Sequence, residues 1–374
     1  MQFKAVIGQE SIKKRLIEGV TENRVSHAQL FAGTEGVGKL AMAIAYAQYV
    51  NCKNRSETDS CGECPSCKKI QKLIHPDLHF VFPVVKTQKF KDPISDNYLD
   101  KWREQVLKNP YFNLNIWQKT IEVENAQGQI YVSESSEIIR KLNLKTFESE
   151  YKVMIIWMVE RMNAQCSNKL LKMIEEPPPK TLFILITENE EQIITTIRSR
   201  TQLVKFTGID QRSMTEALKQ LPDSEGKNIE ALVHQCNGNY ISALELISPD
   251  EQDEMCFDYF TNLMRISYKR DWMPMFDWVE GISGIGREQQ KIFLLYSLRM
   301  LRENFILNLK HPDLNYLSEK EKGFSDRFSP FINERNIIIF TNEFEKAIRD
   351  ISQNGNPRII FLDLSLKITK IIRA

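Results

Sequence analysis

Hydrophobic positions follow two different periods along this chain, and the change of period divides it. Up to residue 206, short apolar runs alternate with helical stripes. Leu30-Phe31-Ala32, the stretch from His75 to Phe82, Lys152–Val159, Thr181–Thr187 and Thr201–Phe206 read as strands. Val153–Val159 and Leu182–Ile186 are apolar at every position, as expected of strands buried on both faces. Helical stripes lie between them. Ile12, Leu16 and Ile17 precede the first strand, and Ala41 to Ala47 follow it. Ile138, Ile139 and Leu142 form another stripe, with Ser133 as its expected cap, and Asn163 to Glu176 a further one, stopped by Pro177-Pro178-Pro179. Alternating strands and helices predict an α/β domain with a parallel sheet over residues 1–207.

After Gly208 the strand pattern stops. Residues 208–248 carry helical periodicity, with Gly238 ending one helix, Ile241, Leu244 and Leu246 on the next, and a boundary at Pro249. Residues 251–374 run helix after helix; in one of them, Gln289 to Leu309, apolar residues spread around much of the circumference. The tail, Arg358 to Ile372, reads as an amphipathic helix that docks. A third, all-α domain is expected there.

One stretch interrupts the α/β alternation. Residues 86–129 read as an insertion, with Tyr98, Trp102 and Val106 at i, i+4, i+8, then Tyr111-Phe112 and Trp117, and Lys86, Lys89 and Lys91 nearby. Aromatic and basic residues together suit a single-strand nucleic-acid platform. The favoured reading is a helical appendage packed on its own aromatics.

Composition narrows the class. The 374 residues are 42% hydrophobic and 26% charged, which suits a globular protein of two or three domains. The net charge of +1 gives no global bias toward nucleic acid. No apolar run is long enough to span a membrane, and the charged N-terminal stretch does not read as a signal peptide, so a cytoplasmic protein is expected. Seven cysteines in that compartment suggest metal or free thiols before disulfides.

Two stretches carry chemistry. Gly33-Thr34-Glu35-Gly36-Val37-Gly38-Lys39 follows an apolar run, precedes helix formers, and fits the first seven places of G-x-x-x-x-G-K-[ST]. In such a loop Gly33, Gly36 and Gly38 let backbone N–H groups curl around phosphate, and Lys39 reaches the outer phosphates. The eighth place, a hydroxyl that ligates Mg²⁺, is Leu40. The second stretch is Cys52, Cys61, Cys64 and Cys67, spaced C-x8-C-x2-C-x2-C. Four thiolates suit a closed, structural Zn²⁺ site, and no downstream cysteine completes a ferredoxin-type run. His75 and His79 could ligate metal, but four cysteines suffice. Cys166, Cys236 and Cys256 read as buried thiols.

Together GTEGVGK, the four-cysteine module directly behind it, NKLLKMIEEPP at 168–178 and TIRSR at 196–200 resemble the bacterial clamp-loader subunits of the AAA+ superfamily, those of DNA polymerase III. The resemblance covers residues 1–246 well and the tail loosely. It implies a RecA-like domain with the zinc module at 52–67, a small helical lid over 208–250, and a helical collar over 251–374 that holds a pentamer together. Partners implied are motor subunits of the gamma/tau type, the delta subunit, the sliding clamp and primer-template DNA, with no membrane. In active members the places of Leu40, Trp157, Met158 and Ile241 carry, in turn, the Mg²⁺-ligating hydroxyl, the paired acids Asp-Glu and a lid arginine. Glu160 lies two residues late for the acidic motif and is expected in a surface ion pair. Arg200, in Ser199-Arg200-Thr201, matches the arginine that acts in trans on a neighbour's ATP; its plain alternative is a surface ion pair.

Three classes follow. The resemblance to the delta-prime type implies a non-hydrolysing subunit, with ATP or ADP binding weak or absent. An active gamma/tau-type ATPase and a zinc-bearing nucleic-acid module are the rivals. An ATPase assay separates the first rival, and a salt-dependent binding titration the second.

Overall fold

The structure is a computed structural model, and it describes all residues except 124–127, 225–228, 248–250, 310–314, 316 and 374. The chain divides into two compact units, Met1–Ile247 and Ser248–Ala374. The boundary expected at Pro249 lies outside the described residues. Residues 208–247, expected to form a lid, cluster with the first unit.

The first unit is built on a parallel sheet of five strands in the order β2-β3-β4-β1-β5. These are β1 (Ala28–Ala32), β2 (Leu78–Val81), β3 (Lys152–Trp157), β4 (Thr181–Thr187) and β5 (Gln202–Lys205). β1, β3 and β4 are buried at every residue, including Gln29, Lys152, Thr181 and Thr187 beside their apolar runs. The register aligns the carboxyl ends. Ala32 pairs with Thr187 and Lys205, and Trp157 pairs with Ile186. The residues that follow β1, β3 and β4 therefore emerge along one edge, the usual ligand edge of an open α/β sheet.

Helices α1 (Glu10–Thr21), α2 (Lys39–Val50), α3 (Pro65–Gln71), α4 (Leu99–Lys108), α5 (Leu114–Thr120), α6 (Val132–Asn143), α7 (Ala164–Glu175), α8 (Thr195–Arg198), α9 (Gln211–Lys219), α10 (Ile229–Cys236) and α11 (Tyr240–Ile247) complete this unit. α2 is buried along its whole length. α7 starts where expected, with the Asn163 side chain accepting the Cys166 N–H. α6 departs from expectation. Ser133 lies inside its first turn and donates to the Pro93 carbonyl at 3.2 Å, while Tyr131 occupies the cap position without a side-chain bond. β3 is also shorter than its apolar run, because Met158 adopts a left-handed backbone (φ 59°) that ends the strand.

The insertion packs on the sheet. Trp102 of α4 stacks on Phe82 at 4.1 Å and meets Trp117 of α5 edge-on at 5.2 Å. Both tryptophans are fully buried. These rings are therefore core, which excludes them as a platform for bases.

The second unit contains α12 (Glu251–Lys269), α13 (Trp272–Gly284), α14 (Arg287–Asn308), α15 (Glu319–Phe328), α16 (Ile337–Ser352) and α17 (Pro357–Ile371). Its core holds Phe260, Phe293, Phe340, Phe344 and Phe361. A capping box at Ser318 and Glu321 starts α15, and Glu321 also accepts from the Tyr296 hydroxyl at 2.7 Å.

Candidate functional site

The glycine loop leaves β1 at the ligand edge and runs into α2. Gly36 and Gly38 are left-handed, at φ 72° and 88°. At Gly36 a Cβ would stand 1.7 Å from the Asn239 side-chain oxygen, and the left-handed backbone there strains any other residue. The loop is tied down from several sides. Gln9 donates to the carbonyls of Val37 and Thr207, and Tyr240 N–H donates to Gly36 O at 3.1 Å. Lys39, at the start of α2, turns back on the loop. Its ammonium donates to Gly33 O at 2.6 Å and to Thr34 O. Burial pushes its pKa down to about 8, against the pull of Glu188, Glu160 and Glu35.

The expected deletions lie around this loop. Leu40, Trp157, Met158 and Ile241 are all buried and apolar. Leu40, Trp157 and Ile241 line the cleft itself. One charged group was missed. Glu188, the residue after β4, lines the same cleft. Burial raises its carboxyl to about 7, opposed by the charge of Lys39. Its place directly beyond an unbroken apolar strand was the available signal. Glu160 corrects another expectation. It makes no surface ion pair among the described residues; one oxygen accepts the Glu188 N–H at 3.1 Å and the other is buried without a partner.

The cleft itself is small and largely filled. Pro110, Tyr111 and Phe112 of the insertion line it, and about 20 Å³ remains open. Small-molecule pockets run to roughly 300–1,000 Å³.

The four cysteines of the 52–67 module converge. Their sulfurs lie within 4.8 Å of one another, with Cys52 to Cys61 at 3.5 Å and Cys61 to Cys67 at 3.9 Å. Tetrahedral bonds of about 2.3 Å to zinc set sulfurs about 3.8 Å apart, so this donor set fits a metal of that kind. Backbone N–H groups of Cys61 and Cys64 point at the sulfurs of Cys52 and Cys61. Such donors favour thiolates, and those of Cys64 and Glu63 pull Cys61 down to about 6, while burial raises the thiols of Cys52 and Cys67. Cys166, Cys236 and Cys256 are buried and apart from this cluster. The two histidines also stand outside the cluster, His75 buried and His79 half-buried. His75 Nδ1 accepts the Asp77 N–H, its Nε2 lies 2.8 Å from Ser149 Oγ, and burial holds His79 down to about 4.

Arg200 stands just beyond α8. Its guanidinium donates to Glu175 at 3.0 Å and to the Thr196 carbonyl at 3.1 Å, and its side chain is 34% exposed. Among the described residues, no helix is long and apolar enough to cross a membrane.

A five-stranded parallel sheet with a glycine loop between β1 and α2 defines a P-loop α/β protein. Residues 8–210 match the family described as DNA polymerase III, delta subunit, and the chain belongs to it, a clamp-loader subunit of the AAA+ superfamily. It is similar to the DNA polymerase III subunit delta' of Bacillus subtilis, 28% identical over 65% of this chain and 60% of that one. It is also similar to the subunit tau/gamma of Haemophilus influenzae, 27% identical over 60% of this chain and 26% of that one. The chain thus spans between about a quarter and three-fifths of these two curated relatives. A solved DNA polymerase III gamma subunit-related protein of Thermotoga maritima aligns over 97% of this chain and 99% of its own at 13% identity and a TM-score of 0.43, too loosely to carry an argument.

Proposed function

We propose that this chain is a non-hydrolysing, delta-prime-like subunit of a DNA polymerase III clamp loader. It helps load a sliding clamp onto primer-template DNA beside gamma/tau-type motor subunits and a delta subunit, in the cytoplasm. One observation carries the reading. Leu40, Trp157, Met158 and Ile241 are buried and apolar where a hydrolysing site needs polar groups, yet Arg200 remains partly exposed. Glu188 does not restore the lost groups. It is desolvated beside Lys39, and no hydroxyl stands at position 40 to share a metal with it. The rival reading, a gamma/tau-type ATPase, draws on relatives of that type but lacks those groups.

In this reading Arg200 acts on the γ-phosphate held by a neighbouring motor subunit. Its guanidinium is always charged and forks onto phosphate oxygens. The Glu175 pair holds it meanwhile, and a surface pair of this sort costs only about 0–1 kcal/mol to give up. Residues 208–250 act as the lid and 251–374 as the collar, and Cys52, Cys61, Cys64 and Cys67 hold one structural Zn²⁺.

The test is Arg200→Ala in a loader reconstituted from this chain and its partner subunits, with assembly checked first. DNA-stimulated ATP turnover and clamp loading should both fall. The loss should stay well below the roughly 10³–10⁵-fold seen when a sole trans arginine is removed, since other interfaces keep theirs. Unchanged rates would reduce Arg200 to a surface charge. Steady ATP hydrolysis by the isolated chain, abolished by Lys39→Ala, would favour the motor-subunit reading instead.

A further inference from the structure

We propose that the second unit carries a docking pocket for an acidic segment of a partner protein, anchored by one large apolar side chain. The pocket lies between α12 and α15. It shares no residue with the glycine loop, the cysteine module or Arg200.

Helical spacing puts its lining on one face of each helix. Met264, Arg265 and Tyr268 stand at i, i+1 and i+4 on α12, and Gly323, Phe324 and Arg327 do the same on α15. Together with Phe328 and Phe331 they bound a cavity of about 270 Å³. Its rings are packed on one another. Phe324 stacks on Phe328 at 5.0 Å, and Tyr268 meets Phe331 edge-on at 5.0 Å. A single-strand platform needs open ring faces in a groove of cations. Rings that instead wall a concavity suit an inserted side chain. The volume is below the roughly 300–1,000 Å³ of small-molecule pockets, which leaves room for one anchor and not for a cofactor.

Two features here have no explanation within the chain. Gly323 sits inside α15, where glycine is among the least favourable residues. Its backbone is not left-handed, and a Cβ on it would meet nothing within 4 Å, so neither conformation nor packing requires it. The missing side chain keeps the pocket open. A break of local preference of this kind marks functional positions. The second feature is charge. Arg265 and Arg327 are exposed and line the pocket, yet neither has an ion pair or hydrogen bond among the described residues. Arg265 only lies over the Phe324 ring, 5.9 Å from its centroid, and Arg373 lies over the Tyr268 ring at 4.7 Å. No carboxylate lines the pocket. Guanidinium groups fork onto carboxylates, and an apolar anchor in a pocket rimmed by arginine is a recurrent way of holding acidic segments. Because the two arginines come from different helices, they suit separate carboxylates on either side of the anchor. A single fatty-acid headgroup would leave one of them without a partner.

The experiment is calorimetric titration of the whole chain with end-capped peptides Asp-Asp-X-Asp-Asp, where X is Leu, Met, Phe or Trp. At least one should saturate the chain at about millimolar concentration or below, the weak end of specific binding. The peptide with Ala at X, and those with Lys in place of Asp, should bind at least roughly tenfold more weakly, a loss of about 1.4 kcal/mol. Gly323→Leu fills the pocket from a helix position with space for it. It should keep the thermal midpoint and lower the affinity by a similar factor. The double variant Arg265→Glu and Arg327→Glu does not depend on that filling. It should abolish binding of the acidic peptides, and wild-type binding should weaken with added salt. No binding by any of the four peptides, or equal binding by Gly323→Leu and wild type, would overturn the proposal. So would preferential binding of dodecanoate or of a single-stranded oligonucleotide, which would make the pocket a lipid or nucleic-acid site. No readout involves nucleotide or Arg200, so this proposal and the clamp-loader reading stand or fall separately.

Discussion

Glu188 shows how burial at this edge becomes a pH dependence. Its folded pKa is about 7, above the ordinary carboxylate value near 4.5. Between those values the folded chain binds more protons than the unfolded one. Stability from this group is therefore present at low pH and falls as pH rises through 7, by at most about 1.4 kcal/mol per pH unit. Glu134 behaves alike, because burial raises it to about 7 even though the Ser95 N–H and hydroxyl both donate to it. Lys39 has the opposite sign: its pKa falls to about 8, so the unfolded chain binds the extra proton from there up to about 10.5, and stability rises with pH across that window. Denaturant melts of Glu188→Gln between pH 5 and 7.5 should lose part of the wild-type slope and keep the Glu134 part. An unchanged slope would mean that Glu188 is solvated. The cysteines give a second prediction at this scale. Purified chain should carry about one zinc by the four-ligand rule, and Cys64→Ser or a strong chelator should lower the melting temperature. Iron, or no metal at all, would count against the assignment.

Among the elements, the strands were the most legible. β4 spans Thr181–Thr187, the run expected, because an apolar stretch buried on both faces leaves few alternative boundaries. Long helical segments were legible to within a turn, including α14, although its apolar residues spread around the circumference, and α17. Features decided by distant partners were not. Ser133 reads as a cap from its neighbours, but its hydroxyl goes to Pro93, forty residues away. Tyr111 reads as one more aromatic of an appendage, and nothing local announces that its hydroxyl meets Ile7. The cysteine cluster was legible because its ligands are close in sequence, whereas the cleft draws on residues 35 to 241. The insertion's role in the core can be measured. Trp117 is fully buried and donates to Pro83 O at 2.8 Å, so Trp117→Ala should cost about 3–5 kcal/mol in a denaturant melt. A cost below about 1 kcal/mol would mean that α5 is an appendage the sheet does not need.

Taken as a whole, the chain pairs a P-loop unit with a helical unit, and the family assignment rests on the first, through residues 8–210. Any role of the second unit must be argued from its own surface. Helix α13 is informative there. Met275, Trp278, Val279 and Ile282 turn into the core, while Trp272, Met273 and Phe276 remain 50%, 72% and 53% exposed on another face. Large apolar side chains grouped on one helix face are costly in water and suit burial against another protein. If residues 251–374 form a collar, this face is where a neighbouring clamp-loader subunit would cover the chain. Mixing the chain with gamma/tau-type and delta subunits should then give a stable pentamer, read by light scattering after size exclusion. The double variant Met273→Asp and Phe276→Asp should keep its helicity and thermal midpoint, because both positions are exposed in the isolated chain, and should weaken assembly by roughly tenfold or more, the loss expected from one or two interface anchors. A pentamer that forms equally well with the variant would move the collar contact to another face. Failure of the wild-type chain to join any pentamer would remove the clamp-loader role itself.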